Sequence, residues 1–251
     1  MAAFPLMLPG TSRPPKLVVF DLDHTLIACD ATILWTEFLY EKKIVTDPIW
    51  RQYDRDMVKS YAKGVLDIRD FCRKHAGAFR SIPEEKLHAL AQEFAKKKIA
   101  PLIFPDGKKW VKNALQANIP ACVLSASAAF IVKPIAKLFG LTDAMGIELA
   151  FKDGFCTGEI VGIPTFQEGK VERLSQRLTE AGIGFEDVLF FTDSRNDLPL
   201  AERAGYTVCV NPDAVLESAA RKNGWKVAEW KLSLRTQMTA QVDAKGVPET
   251  Q

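Results

Sequence analysis

Two aspartates, Asp21 and Asp23, stand one residue apart at the end of the apolar run Leu17-Val18-Val19-Phe20, and Thr25 follows two positions later. In an extended chain, side chains two apart leave the same face, so both carboxylates are aimed toward one point. Close like charges repel unless a cation or a shared proton compensates them. The pair therefore asks for a metal, a proton, or both. A second acidic stretch, Asp193-Ser194-Arg195-Asn196-Asp197, ends the apolar run 188–192. Alone, Asp197 reads as an N-cap or first-turn acid. Two strands that each end in aspartate change that reading, because parallel strands bring their carboxyl ends to one edge of the sheet. Asp21, Asp193 and a backbone carbonyl would then form an oxygen-rich set suited to Mg²⁺, which prefers carboxylates, phosphate oxygens and water.

The remaining polar candidates point to an anion. Ser125 and Ser127 end the run "ACVLSAS" and can donate hydroxyl hydrogen bonds to it, beside a helix start whose free N–H groups favour negative charge. Ser127 reads equally well as a plain helix cap. Lys170 opens a helix in "PTFQEGKVERL", where the dipole disfavours a cation, so it calls for a compensating anion. Cys29 lies near the acids but has no partner base in view, and reads as a small buried filler.

These residues need strands to carry them. The run Leu17 to Phe20 is too short for a helix and apolar on both faces, which marks a central strand of a parallel sheet. Further strands are expected at 119–127, 188–193 and 206–210, with helices starting near Asp106, Ala128, Gly169, Asp197 and Asp213. That alternation predicts an α/β fold, a Rossmann-like parallel sheet sandwiched by helices. "ELAFKDGFCTGEIVG" differs, with an Asp-Gly turn signal between two extended runs, and predicts a β-hairpin. Between about Asp30 and Lys98 four segments carry apolar residues at helical spacing, such as Leu87, Leu90, Ala91 and Phe94. They predict an inserted all-helical cap domain over the acidic site, placed to act as a lid. The expected division is a flexible leader at 1–15, a core at 16–29 and 101–230, a helical cap at 30–100 and a flexible tail at 231–251.

Bulk composition is that of an ordinary globular protein: 251 residues, 47% hydrophobic and 25% charged, with a formal net charge of +2. That charge gives no reason to expect nucleic acid or a membrane surface as partner, and no apolar stretch reaches the roughly 18 residues a spanning helix needs. Pro5 and Pro9 break the apolar start, and no basic region precedes it, which argues against a secretory signal. Five dispersed cysteines without a CxxC pair predict reduced thiols and a cytoplasmic location.

The ordered set D-x-D-x-T, Ser, Lys and D-x-x-x-D resembles the haloacid dehalogenase superfamily of phosphotransferases. The helical insertion after the first motif is similar to the phosphoserine-phosphatase-like branch, subfamily IB with a C1 cap, and the resemblance spans roughly residues 16 to 227. It implies an Mg²⁺-dependent phosphatase of small phosphorylated metabolites. Asp21 would be the nucleophile that becomes an aspartyl phosphate, and Asp23 the acid and base. Thr25 would fix the loop as part of the phosphate-binding set, in which Ser125, Lys170 and Asn196 would hold the phosphate. Asp21, the carbonyl of Asp23, Asp193 and Asp197 would serve the metal, the last through water or Lys170. His24 reads as a spacer and His88 as a structural cap residue. A phosphotransferase would use the same residues, and a non-catalytic phospho-ligand-binding regulator would be expected to lack the nucleophile or the acid, both of which are present.

Phosphoserine phosphatases grip the amino-acid head group with a glutamate, a phenylalanine and an arginine. The matching positions here are Asp30, Ile68 and His75, with Arg69 or Arg73 taking the arginine's place only in a shifted register of the cap. A shorter acid and a histidine cannot grip a carboxylate in the bidentate manner of arginine. The expectation is poor activity on phosphoserine and better activity on a phosphorylated amine or alcohol, histidinol phosphate being a candidate. Oligomeric state is not legible.

Overall fold

The computed structural model describes residues 13–233, so the leader and tail expected from the sequence fall almost wholly outside the described residues. The chain runs β1 (Leu17–Phe20), α1 (Ala31–Glu41), α2 (Ile49–Lys63), α3 (Ile68–His75), α4 (Glu84–Phe94), α5 (Pro105–Gln116), β2 (Ala121–Ala128) and α6 (Ala129–Lys137). It continues through β3 (Ala144–Ile147), β4 (Leu149–Lys152), β5 (Phe155–Ile160), α7 (Glu168–Ala181), β6 (Val188–Thr192), α8 (Leu198–Ala201), β7 (Tyr206–Val210), α9 (Ala214–Asn223) and β8 (Lys226–Ala228).

Six strands form one sheet in the order β3-β2-β1-β6-β7-β8, parallel throughout. β1 is buried along its whole length. Val18 and Phe20 join the hydrophobic cluster on one face and Leu17 and Val19 the cluster on the other, as the two-residue period of a strand requires. Phe20 stacks on Phe191 across the strand pair at 4.7 Å. Strand order reverses at β1: β2 and β3 lie to one side and β6, β7 and β8 to the other. The crevice outside the carboxyl ends at such a reversal is where open α/β sheets bind ligands, and Asp21, Ser125 and Asp193 all arrive there.

The helical insertion has two parts. α1 and α4 are packed down on α6: Trp35 is fully buried and meets Phe94 at 5.4 Å and Phe130 at 5.6 Å. α2 buries only Asp54 and Met57, and with α3 it overhangs the sheet edge. α3 is braced from below by β5, where a Cβ on Gly158 would lie 3.0 Å from the Cα of Arg73. β4 and β5 form the antiparallel hairpin expected from the sequence. Its turn uses Asp153 at φ 52° and Gly154 at φ 79°, the paired positive angles that Asp-Gly supplies.

Candidate active site

A cavity of about 210 Å³ opens at the carboxyl edge of the sheet. Its floor comes from the core, including Asp21, Asp23, Ser127 and Asp193, and its roof from α2 and α3, including Met57, Tyr61, Ile68 and Phe71. Among the described residues on its wall there is no lysine or arginine.

Asp21 follows β1 and extends the ladder by one bond, its N–H donating to the Phe191 carbonyl at 2.9 Å. Its Oδ1 accepts from Lys170 Nζ at 2.7 Å, and the same ammonium donates to Asp197 Oδ2 at 2.8 Å. Lys170 is only 1% exposed. It sits in the first turn of α7, so the anion its position called for is this pair of carboxylates. Gly169 makes the approach possible, since a Cβ there would lie 1.9 Å from the Pro164 carbonyl oxygen. Burial pulls the Lys170 ammonium down, but the charges of Asp197 and Asp21 and their hydrogen bonds outweigh it, and the net shift is upward. Burial pushes Asp21 up to about 7, against the lowering effect of Lys170, with Asp197 and Asp23 adding to the rise.

Asp23 is turned to the other side of the cavity. Its Oδ1 accepts from the Ala31 N–H at 2.7 Å, at the N-terminus of α1. Its Oδ2 accepts from Ser127 Oγ at 2.9 Å and Ser125 Oγ at 3.2 Å. Burial, then the charge of Asp30, raises Asp23 to about 6. Ser127 therefore serves Asp23 and does not cap α6, whose N-cap is Ala128 without a side-chain bond.

Thr25 is fully buried and donates from Oγ1 to Asp193 Oδ1 at 3.1 Å. Asp193 is held well above the usual carboxylate range by burial, then by the charges of Asp21 and Asp197. Asp23 has both carboxylate oxygens in hydrogen bonds, which leaves its backbone carbonyl as the group expected to meet a metal. Asp197 is held by Lys170 at 2.8 Å and by Thr192 Oγ1 at 2.7 Å. Among the described residues no three acid, cysteine or histidine side chains are gathered as a ready metal-binding group. The remaining donors still fit Mg²⁺. Asp21, Asp193 and Asp197 around a single ammonium leave a surplus of buried negative charge, which a divalent cation held by Asp21, Asp193 and the Asp23 carbonyl would offset. Mg²⁺ needs few protein ligands because it keeps several waters.

Other residues named from the sequence have different partners. Asn196 does not face the cavity: its Nδ2 donates to the Tyr61 carbonyl at 3.0 Å and its Oδ1 accepts from Gln167 Nε2 at 3.1 Å. Its short 3₁₀ turn aims the amide at α2 instead of toward the sheet edge. Asp30 lines the cavity and is also the N-cap of α1, accepting from the Ile33 N–H at 2.9 Å. Ile68 lies on the cavity wall, but His75, two turns further along α3, lies behind it. There His75 stacks on Phe71 at 5.0 Å and shares Nε2 with Thr36 Oγ1 at 2.9 Å. Tyr61, Phe71, Gln167 and Asp54 were not singled out by sequence, where each reads as an ordinary helix-face or loop residue.

All five cysteines are free, and among the described residues no helix is long and apolar enough to cross a membrane. A model of the haloacid dehalogenase-like hydrolases matches residues 18–202. A histidinol-phosphatase of Neisseria meningitidis serogroup C (strain 8013) is 35% identical over 220 residues, which cover 86% of this chain and 99% of that protein. A phosphoserine phosphatase of Mycobacterium tuberculosis (strain ATCC 25618 / H37Rv) is 27% identical over 239 residues, 91% of this chain and 77% of its own. Among solved structures, a Bordetella pertussis Tohama I protein of unknown function superposes with a TM-score of 0.76 at 32% identity, covering 84% of this chain and 96% of the other. A substrate-bound phosphoserine phosphatase superposes at 0.65 with 21% identity, covering 91% and 99%, a likeness of fold.

Proposed function

Because this chain belongs to the haloacid dehalogenase-like hydrolases and is a hydrolase of a small phosphomonoester, we propose that it works through an aspartyl phosphate on Asp21 and prefers a phosphorylated amine without a carboxylate, such as histidinol phosphate. In this reading an Asp21 oxygen attacks phosphorus, and the leaving oxygen takes a proton from Asp23. Burial and the neighbouring Asp30 charge raise Asp23 to about 6, close to the range in which a carboxylic acid can both give and accept a proton near neutrality. Asp23, now ionised, then activates the water that hydrolyses the acyl phosphate. Lys170 orients Asp21 and places its positive charge beside the attacking oxygen. Mg²⁺, when bound by Asp21, Asp193 and the Asp23 carbonyl, supplies the positive charge that keeps Asp21 ionised and offsets the charge on those oxygens. The dispersed free thiols support a cytoplasmic location.

The observation that carries the substrate choice is the cavity wall, where among the described residues Asp30 stands with apolar and aromatic side chains of the cap, beside His24, Thr32 and Ser127, and no lysine or arginine is present to receive a carboxylate. An ammonium fits beside Asp30, and a flat ring fits against Phe71. The Neisseria meningitidis relative with a histidinol-phosphatase's name supports the same choice. The test is kcat/KM for histidinol phosphate against phosphoserine, repeated in Asp30→Ala. Preference for phosphoserine would overturn the pocket argument. An unchanged ratio in the variant would remove Asp30 from it.

A further inference from the structure

Among the described residues one phenol reaches the cavity, and the core holds it there by the backbone. Tyr61 lies in the last turn of α2 and lines the cavity with Asp21 and Asp193. Its ring leans on Phe166 of the core at 5.8 Å. Two core side chains grip carbonyls at this end of the helix, that of Tyr61, which also accepts from the Gly64 N–H at 2.9 Å, and that of the C-cap Gly64. Asn196 Nδ2 donates to the Tyr61 carbonyl at 3.0 Å, and Gln167 Nε2 donates to the Gly64 carbonyl at 3.2 Å. Gln167 Nε2 also donates to Asn196 Oδ1 at 3.1 Å, joining the two into one clamp. Neither Gln167 nor Asn196 is on the cavity wall. Gln167 holds φ at 48°, a conformation that costs a non-glycine residue about 1–3 kcal/mol and persists where its surroundings over-determine it.

We propose that Tyr61 belongs to the catalytic centre, its hydroxyl donating a hydrogen bond to an oxygen of the transferring phosphoryl group, with Gln167 and Asn196 as the residues that position it. This rests on the phosphatase reading above. A phenol ordinarily keeps its proton near neutral pH and so can serve as a donor. Asp21 and Asp193, which share the cavity wall with Tyr61, mark the nucleophile's side, whereas the leaving group meets Asp23. The donor therefore serves the phosphoryl group, which every substrate shares, and it is in place only when the cap is seated on the core.

The experiment measures kcat and KM on p-nitrophenyl phosphate and on histidinol phosphate, with inhibition by orthovanadate as a probe of phosphoryl binding. Tyr61→Phe keeps the ring on Phe166 and should lower kcat/KM on both esters by about a hundredfold, the low end for a lost oxyanion donor. Orthovanadate inhibition should weaken in parallel. Gln167→Met, which keeps the side chain's length, should lower kcat about tenfold in the wild-type background and less than about twofold on top of Tyr61→Phe, because a residue acting through another is not additive with it. Unchanged unfolding midpoints would separate these effects from loss of fold. Tyr61→Phe within threefold of wild type on both esters would overturn the proposal, and equal costs of Gln167→Met in both backgrounds would overturn the positioning role. Wild-type protein that releases phosphate from neither ester would instead sink the phosphatase reading, and with it this proposal.

Discussion

A buried acid and a buried histidine in the cap set opposite pH dependences that cancel in the wild type. Asp54 of α2 and His75 of α3 are 4% and 5% exposed, with Asp54 Oδ1 3.4 Å from His75 Nε2. The Thr36 hydroxyl is near enough to lower the Asp54 carboxyl somewhat, but it is bonded to His75 Nε2, and neither Asp54 oxygen has a hydrogen bond of its own. Burial raises Asp54 from 3.8 to about 7 and lowers His75 from 6.5 to about 4. Between pH 4 and 6.5 the folded chain thus keeps a proton on Asp54 that the unfolded chain has released, which lowers stability as pH rises. Over the same interval the unfolded chain holds a proton on His75 that the folded chain has given up, which raises stability as pH rises. Each slope is about 1.4 kcal/mol per pH unit, so over this interval each is worth about 3 kcal/mol, or about 6–12 °C in Tm for a chain of this size. Asp54→Asn removes the first slope and should gain about 3 kcal/mol relative to wild type from pH 4 to 6.5. His75→Gln removes the second and should lose as much. Urea unfolding at half-unit pH steps reads both, and variants that run parallel to wild type would refute the reasoning.

Asp21→Asn keeps the volume of the side chain but removes the attacking oxygen, so turnover should fall below about a hundredth of wild type, and phosphate labelling of the protein from substrate should vanish. Residual turnover above that level would require another nucleophile. Asp193→Asn should weaken Mg²⁺ binding and recover part of its activity as Mg²⁺ is raised, whereas Lys170→Met, which leaves Asp21 and Asp197 buried without their counter-ion, should not. Identical responses in a magnesium titration would contradict the separate tasks given to the two residues.

The parts of the fold that the sequence showed are those with a local cause. β1 and β6 are apolar on both faces because both faces are covered, and their runs stand out from any surroundings. α9 begins where Asp213 stands because its carboxylate accepts from the Val215 and Leu216 N–H groups. The hairpin was visible because only a few residue pairs tolerate two positive φ angles. β3 and β8 escaped notice for the converse reason. β3 is Ala-Met-Gly-Ile and β8 Lys-Val-Ala, too short and mixed to carry a period, and each is a strand because a neighbour's edge offers it hydrogen bonds.

The site divides in the same way. Lys170 was legible because a cation in the first turn of a helix breaks a rule of side-chain type, and only an anion from elsewhere in the fold resolves it. Asp21 and Asp193 were legible because an acid at the end of an apolar strand breaks another. The clamp on α2 breaks a rule too, but one of backbone conformation. Glutamine is an ordinary letter at any φ, so the 48° of Gln167 leaves no mark in the sequence. Its targets are carbonyls, which every residue possesses, so neither Gly64 nor Tyr61 is distinguished by type. Asp54 and His75 are hidden for a related reason: on an amphipathic helix an acid or a histidine reads as solvent-facing until the partner helix is in place. Residues that act by what they are can be read before folding, and residues that act by what the fold does to them cannot. In this chain the first kind lies on the floor of the cavity and the second in the cap and the clamp on α2. The chemistry can therefore be read from residue types, while the seating of α2 depends on contacts such as Gln167 to Gly64 and Asn196 to Tyr61 that only the fold creates.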